Sequence, residues 1–195
     1  MIVDFVRHAD TGRRGYMDGR GDPPLLDGAA DAPCRRHAGI DWGRIVSSPL
    51  RRAHDTALAL AAPLDLPVAL DAQWTEFDFG DWDGLRGETL PVAAVAAFHD
   101  DPDGNAPPNS EPWDAFGRRI AGALQALLRQ SPDVAGPVLV VSHGGSLRMM
   151  LSQACGLPLS SLWALRIDYG TRLRLRLEAG DDGLPWGELL ELAQP

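Results

Sequence analysis

The chain has 195 residues, 45% of them apolar and 23% charged, and its 18 basic against 27 acidic side chains leave a formal charge of −9. That balance excludes a disordered chain, offers enough apolar sequence for one domain over 1–195, and lacks the global basic footprint of a nucleic-acid binder. Every basic residue is arginine, which excludes Schiff-base, Walker-type and general-base lysine chemistry. No apolar run reaches the ~18 residues of a membrane span, and the start lacks the basic and apolar regions of a signal peptide. A soluble, cytoplasmic protein without membrane partners is therefore expected. Cys34 and Cys155 are too few for a disulfide scaffold or zinc ribbon and are expected to be small buried thiols.

In chain order, residues 2–6 form an apolar run broken only by Asp4 and predict a buried strand ending at Arg7-His8. Residues 10–27 are turn-rich. A short strand at Ile45-Val46 is closed by Ser47-Ser48-Pro49, and Ala53, Ala57, Leu58 and Ala61 give residues 50–62 a helical face ended by Pro63 and Pro67. Residues 68–70 are a third strand. Four prolines, two asparagines and a glycine mark 102–112 as a loop, within a loop-like cap insert expected over about 85–112. Asp114 is placed to cap a helix running to about Arg129, with Phe116, Ile120, Ala123, Leu124, Leu127 and Leu128 on its apolar face. Residues 138–141 read as a central strand buried on both faces. It stops at Ser142-His143-Gly144-Gly145, before a helix carrying Leu147, Met150 and Leu151. Residues 172–177 alternate arginine and leucine, predicting a strand with leucines inward and arginines on a solvated outer face rather than a phosphate-binding ladder.

Strands alternating with helices imply an α/β three-layer sandwich, its mostly parallel central sheet flanked by helices. Ligands in such sheets sit at the carboxyl ends of strands, where Val6-Arg7-His8 and Val141-Ser142-His143 each place a histidine. Each feature alone has a bland reading: a structural histidine, a strand-to-helix turn at His143-Gly144-Gly145, a solvated Arg51-Arg52 pair, an exposed Glu76.

The joint pattern is specific. Arg7-His8-Ala9-Asp10-Thr11 is followed by Ser48-Pro49-Leu50-Arg51-Arg52-Ala53-His54-Asp55-Thr56-Ala57. Glu76-Phe77-Asp78-Phe79-Gly80-Asp81-Trp82-Asp83-Gly84 and Ser142-His143-Gly144-Gly145 complete it. In residues, order and spacing the chain resembles the histidine phosphatase superfamily, also called phosphoglycerate-mutase-like, over residues 6–145. Within it the small phosphatase branch fits best, with alpha-ribazole phosphatases the most similar group. The resemblance implies His8 as nucleophile, Arg7, Arg52 and His143 as the phosphate pocket, Glu76 as proton donor, and Arg20 and Gly144 as substrate-binding. The chain departs from the family at Ala9, Asp10 and Asp83, which supply no chemistry. Arg14 stands where relatives carry an asparagine, and Asn109-Ser110-Glu111 replaces a Gly-Gly-Glu-Ser run.

Such a site needs no metal or cofactor. Planar arginine donors take the phosphoryl oxygens, a neutral imidazole attacks phosphorus in line, and a carboxyl group protonates the leaving alkoxide. Trp74, Phe77 and Phe79 are expected to give Glu76 an apolar surround favouring its protonated form. The expected substrate is a small phosphomonoester, with alpha-ribazole 5′-phosphate a candidate. A mutase or broad sugar phosphatase of the same family, a metal hydrolase built on His8, Asp10 and His143, and a non-catalytic phospholigand-binding module are the alternatives.

Overall fold

The computed structural model describes residues 1–130, 135–180 and 183–195. Among these, β1 (Ile2–Arg7), β2 (Arg44–Ser47), β3 (Val68–Leu70), β4 (Val138–Ser142), β5 (Arg172–Ala179) and β6 (Pro185–Ala193) form one sheet in the order β3-β2-β4-β1-β5-β6. β1 pairs with β4, and β2 with β3 and β4, in parallel, while β5 and β6 add an antiparallel edge. The sheet is thus mixed but mostly parallel, as expected.

Successive strand residues point to opposite faces, and each face has its own core. Val3, Phe5, Val138 and Val140 join Ile120 and Leu124 of α4 (Trp113–Arg129) and Leu147 and Leu151 of α5 (Gly144–Cys155). Val6, Leu139, Val141 and Ile45 pack with Ala53, Ala57 and Leu60 of α2 (Arg51–Ala61). Helices therefore cover both faces, giving the three layers.

Several local expectations change. The segment 85–112 is not wholly loop-like: α3 (Val92–Asp100) lies in it, because its Ala-rich run has high helix propensity despite the flanking prolines. Asp114 is not the cap of α4. Pro112 holds that place, and Asp114 lies in the first turn, paired with Arg118 one turn on. The arginines of β5 do not all face solvent. Arg172 is buried, and with Arg174 it reaches Asp4, a fully buried acid in β1 that also accepts from the Trp42 indole at 2.8 Å. A charge in that layer needs partners, and the arginines supply them. Arg176 is exposed and pairs with Glu188 of β6. Both cysteines are free and only half-buried. α1 (Asp31–Arg36) and β6 are additions to the predicted elements. No helix among the described residues is long and apolar enough to cross a membrane.

Candidate active site

The register of β1 against β4 sets Arg7 opposite Ser142, so the next residue of each strand, His8 and His143, emerges side by side at the carboxyl edge. The His8 amide donates to Ser142 O at 2.9 Å, and the two imidazole centroids lie 5.2 Å apart. The His8 Nδ1 lies 2.8 Å from Ala9 O. A carbonyl only accepts, so the network assigns the proton to Nδ1 and leaves a lone pair on Nε2. Burial, reinforced by the positive charges of Arg7 and Arg52, holds this imidazole well below its ordinary pKa and therefore neutral. The same causes, burial first, hold His143 neutral.

His143 Nε2 lies 2.8 Å from Ser48 Oγ, which accepts the Leu50 amide at 3.3 Å. The Ser48 proton is then available to Nε2, leaving N–H on His143 Nδ1. That atom, Arg7 Nε and Arg52 Nε are buried with no hydrogen-bond partner. Arg7 Nη1 and both Nη atoms of Arg52 are engaged. Arg7 donates to Ile167 O at 2.7 Å and lies 4.2 Å from the Tyr169 ring centroid, and Arg52 donates to Asp18 O, Gly19 O and Gly21 O at 2.7–3.0 Å. A buried donor left unpaired costs about 1–3 kcal/mol. Three such donors on residues grouped with His8 suit an anion rich in acceptor oxygens.

Glu76 lies in the loop following β3, whose nearby short 3-10 turn ends at the buried Trp74. Its carboxyl group meets the N-terminus of α5: Gly145 N–H donates to Oε2 at 2.8 Å, and Ser146 N–H to Oε1 at 2.9 Å. Phe77 N–H also donates to Oε1, while the Ser146 hydroxyl gives its proton to Thr75 O at 2.8 Å. The expected apolar surround is therefore corrected. Trp74 and Phe77 are buried beside Glu76 in sequence, yet its oxygens face backbone N–H donors at the N-terminus of α5. Gly145 has to be glycine for this, since a Cβ there would stand 2.5 Å from Oε1.

Arg7, His8, Glu76 and Gly144 line a cavity of about 170 Å³ that continues past Phe79, Phe98, His99, Trp163 and Tyr169. His143 and Arg52 are not on its wall and are each 1% exposed. Arg20 is outside it. Its guanidinium donates to Thr75 Oγ1 at 2.9 Å and lies 3.8 Å from both Asp78 and Glu111. Arg14 is exposed and pairs with Asp168. Asp10 accepts the Gly12 amide, and among the described residues no three His, Cys, Asp or Glu side chains are grouped to hold a metal ion. Asp83 accepts the amides of Gly19, Arg20 and Gly21, which ties the loop after β1 to the Glu76 loop. Sequence reasoning missed Tyr169 and Ser48. Tyr169 lies outside every motif, whereas Ser48 stood inside one without an evident partner.

A neutral imidazole and a carboxyl group lining one cavity beside buried arginines are the ingredients that phosphoryl transfer uses. The chain belongs to the histidine phosphatase superfamily (branch 1), whose profile matches residues 3–184, and it is a phosphatase enzyme. It is 30% identical over 180 residues to an adenosylcobalamin/alpha-ribazole phosphatase of Salmonella typhimurium, covering 87% of each chain. It is 35% identical over 176 residues to a glucosyl-3-phosphoglycerate phosphatase of Mycolicibacterium vanbaalenii, covering 80% of this chain and 75% of the other. The solved structure of a mycobacterial glucosyl-3-phosphoglycerate phosphatase superposes with a TM-score of 0.83 over 96% of both chains at 27% identity.

Proposed function

We propose that the chain, as one domain over 1–195, hydrolyses a small phosphomonoester through a phosphohistidine on His8, without a metal or cofactor. One observation carries this: His8 Nε2 offers its lone pair beside three buried, unpartnered donors, Arg7 Nε, Arg52 Nε and His143 Nδ1. Nε2 attacks phosphorus, the P–O ester bond breaks, and the leaving oxygen takes a proton from the carboxylic acid form of Glu76, which is left as the carboxylate. Water then attacks the phosphohistidine, Glu76 takes the water proton, the N–P bond breaks and inorganic phosphate leaves. Arg7, Arg52 and His143 hold the equatorial oxygens in both steps, and Gly144 leaves room for the ester on the cavity wall. Arg20 acts on substrate only if its contacts with Thr75, Asp78 and Glu111 open.

Relatives named for alpha-ribazole make alpha-ribazole 5′-phosphate the first substrate to test. The segment 85–112 serves as cap, since Phe98 and His99 of α3 line the cavity. Net acidity favours a small molecule over nucleic acid, and the site of action is taken as the cytoplasm. Incubation with a ³²P-labelled ester and a rapid quench should trap label that is stable in base and lost in acid, and His8→Ala should trap none and not turn over. EDTA should leave the rate unchanged. Near-normal turnover by His8→Ala overturns the reading.

A further inference from the structure

Glu76 is held twice. Its carboxyl group is fixed by α5, and its backbone is gripped from α4 by Arg119. All five guanidinium N–H groups of Arg119 are engaged. Nη1 donates to Gln73 O at 2.9 Å and Thr75 O at 2.6 Å, and Nη2 to Glu76 O at 2.8 Å. The remaining two go to Glu111, Nε to Oε2 at 3.0 Å and Nη2 to Oε1 at 2.6 Å. Glu111 also accepts the Asp78 amide at 2.8 Å. Side-chain exposure is 17% for Arg119 and 13% for Glu111, so solvent does little to loosen the pair.

Neither residue is on the wall of the cavity. Three carbonyls of one loop, two of them flanking or belonging to the acid, converge on one planar fork. A lysine ammonium has three donors and no fixed fork, so it cannot reproduce this grip.

We propose that Arg119 and Glu111 are positioning residues that hold the Glu76 carboxyl group in register with the leaving oxygen. The proposal rests on the phosphatase reading. Glu76 must give its proton to an oxygen at hydrogen-bond distance, and a displacement of about 1 Å costs on the order of 10²-fold. The strut gives the loop that accuracy from behind, where it does not compete with substrate. It also gives Glu111, which stands in the departed Gly-Gly-Glu-Ser run, a defined task.

The test is Arg119→Lys, assayed by rapid quench on an alkyl phosphate and on p-nitrophenyl phosphate, with inorganic phosphate inhibition and thermal melting measured alongside. Phosphorylation by the alkyl ester should fall by about 10²-fold in kcat. Phosphorylation by the aryl ester, whose phenolate leaves without a proton, should fall far less, and KM and phosphate inhibition should hold. In a Glu76→Gln background, Arg119→Lys should cost nothing further on the alkyl ester. Equal losses on both esters, a matching loss of phosphate affinity, or the same loss repeated without Glu76 would each make the pair a fold support only and overturn the proposal. If Arg119→Lys does not melt cooperatively, Glu111→Gln, which keeps the three carbonyl bonds, is read for the same selective pattern, and its absence overturns the proposal. A wild-type chain that forms no phosphoenzyme from either ester removes the phosphatase reading itself, and the proposal with it.

Discussion

Replacing Glu76 by glutamine separates the two steps of the reaction. General acid help is worth about 10²–10⁴-fold, or about 3–5 kcal/mol of barrier, when the leaving group is a poor alkoxide. The structure adds a second consequence. Oε1 accepts from Phe77 N–H and Ser146 N–H, while Oε2 accepts from Gly145 N–H. The glutamine oxygen takes the two-donor side, and its NH₂ then faces the Gly145 N–H across a distance that was 2.8 Å. One buried donor loses its acceptor, so a stability loss of about 1–3 kcal/mol accompanies the kinetic one. Rapid-quench assays should show alkyl-ester phosphorylation falling by about 10²–10⁴-fold with aryl-ester phosphorylation spared. On p-nitrophenyl phosphate a burst of nitrophenolate should precede a slow steady state, because the carboxylate that activates water is also gone. Equal first-step losses on the two esters would remove Glu76 as the acid and turn attention to Asp78 or Asp81 of the same loop.

Two further outcomes follow from buried charge. His8 and His143 are held below their ordinary value of 6.5, so the unfolded chain takes up protons there while the native one does not. Their contribution to stability should be complete above pH 6.5 and be lost as pH falls below it, and the acid limb of kcat/KM should lie below 6.5, both read from urea melts and rate profiles; an acid limb above 6.5 would contradict a neutral His8. Burial alone would raise the pKa of Asp4, but bonds from Arg174, Trp42 and Arg172 hold it below 3.8, so its contribution is present above that value and lost as pH falls through the native one. Asp4→Ala leaves Arg172 and the Trp42 indole buried without that partner and should cost about 3–5 kcal/mol in urea unfolding with kcat little changed; a loss under about 1 kcal/mol would refute the buried-pair reading.

The grouping of the two histidines was legible in the local sequence. His8 and His143 end short apolar runs read as strands, and parallel pairing of those strands brings the two rings together. What was illegible depends on contacts distant in sequence. Arg172 alternates with leucine like any half-exposed strand residue, and its burial is decided by Asp4 on a neighbouring strand. The donors around Glu76 come from residues 145 and 146, so flanking aromatics suggested an apolar seat that the fold replaces with a helix N-terminus. α3 was hidden by the prolines around it. The loop that seats Glu76 also needs Gly80, at φ +53°, because a Cβ there would stand 2.3 Å from Pro108 O. That glycine was visible as part of a motif, but its reason, a cap segment packed onto it, was not.

The hydrogen-bond inventory divides the site by task. The groups assigned to grip phosphate carry unpaired donors: Arg7 Nε, Arg52 Nε and His143 Nδ1. The groups assigned to hold geometry are saturated: Arg119 uses all five N–H groups, and Asp83 accepts three amides. Unpaired buried donors destabilise the empty protein, and a saturated frame keeps that cost from being relieved by local collapse. Under the proposed reading an anion relieves that cost, directly at Arg7 on the cavity wall and, at Arg52 and His143 behind the wall, only as their side chains turn toward it. Burial first, and then the positive charges of Arg7 and Arg52, hold the pKa of His8 below its ordinary value, so the two arginines assigned to phosphate also help to keep the nucleophile unprotonated.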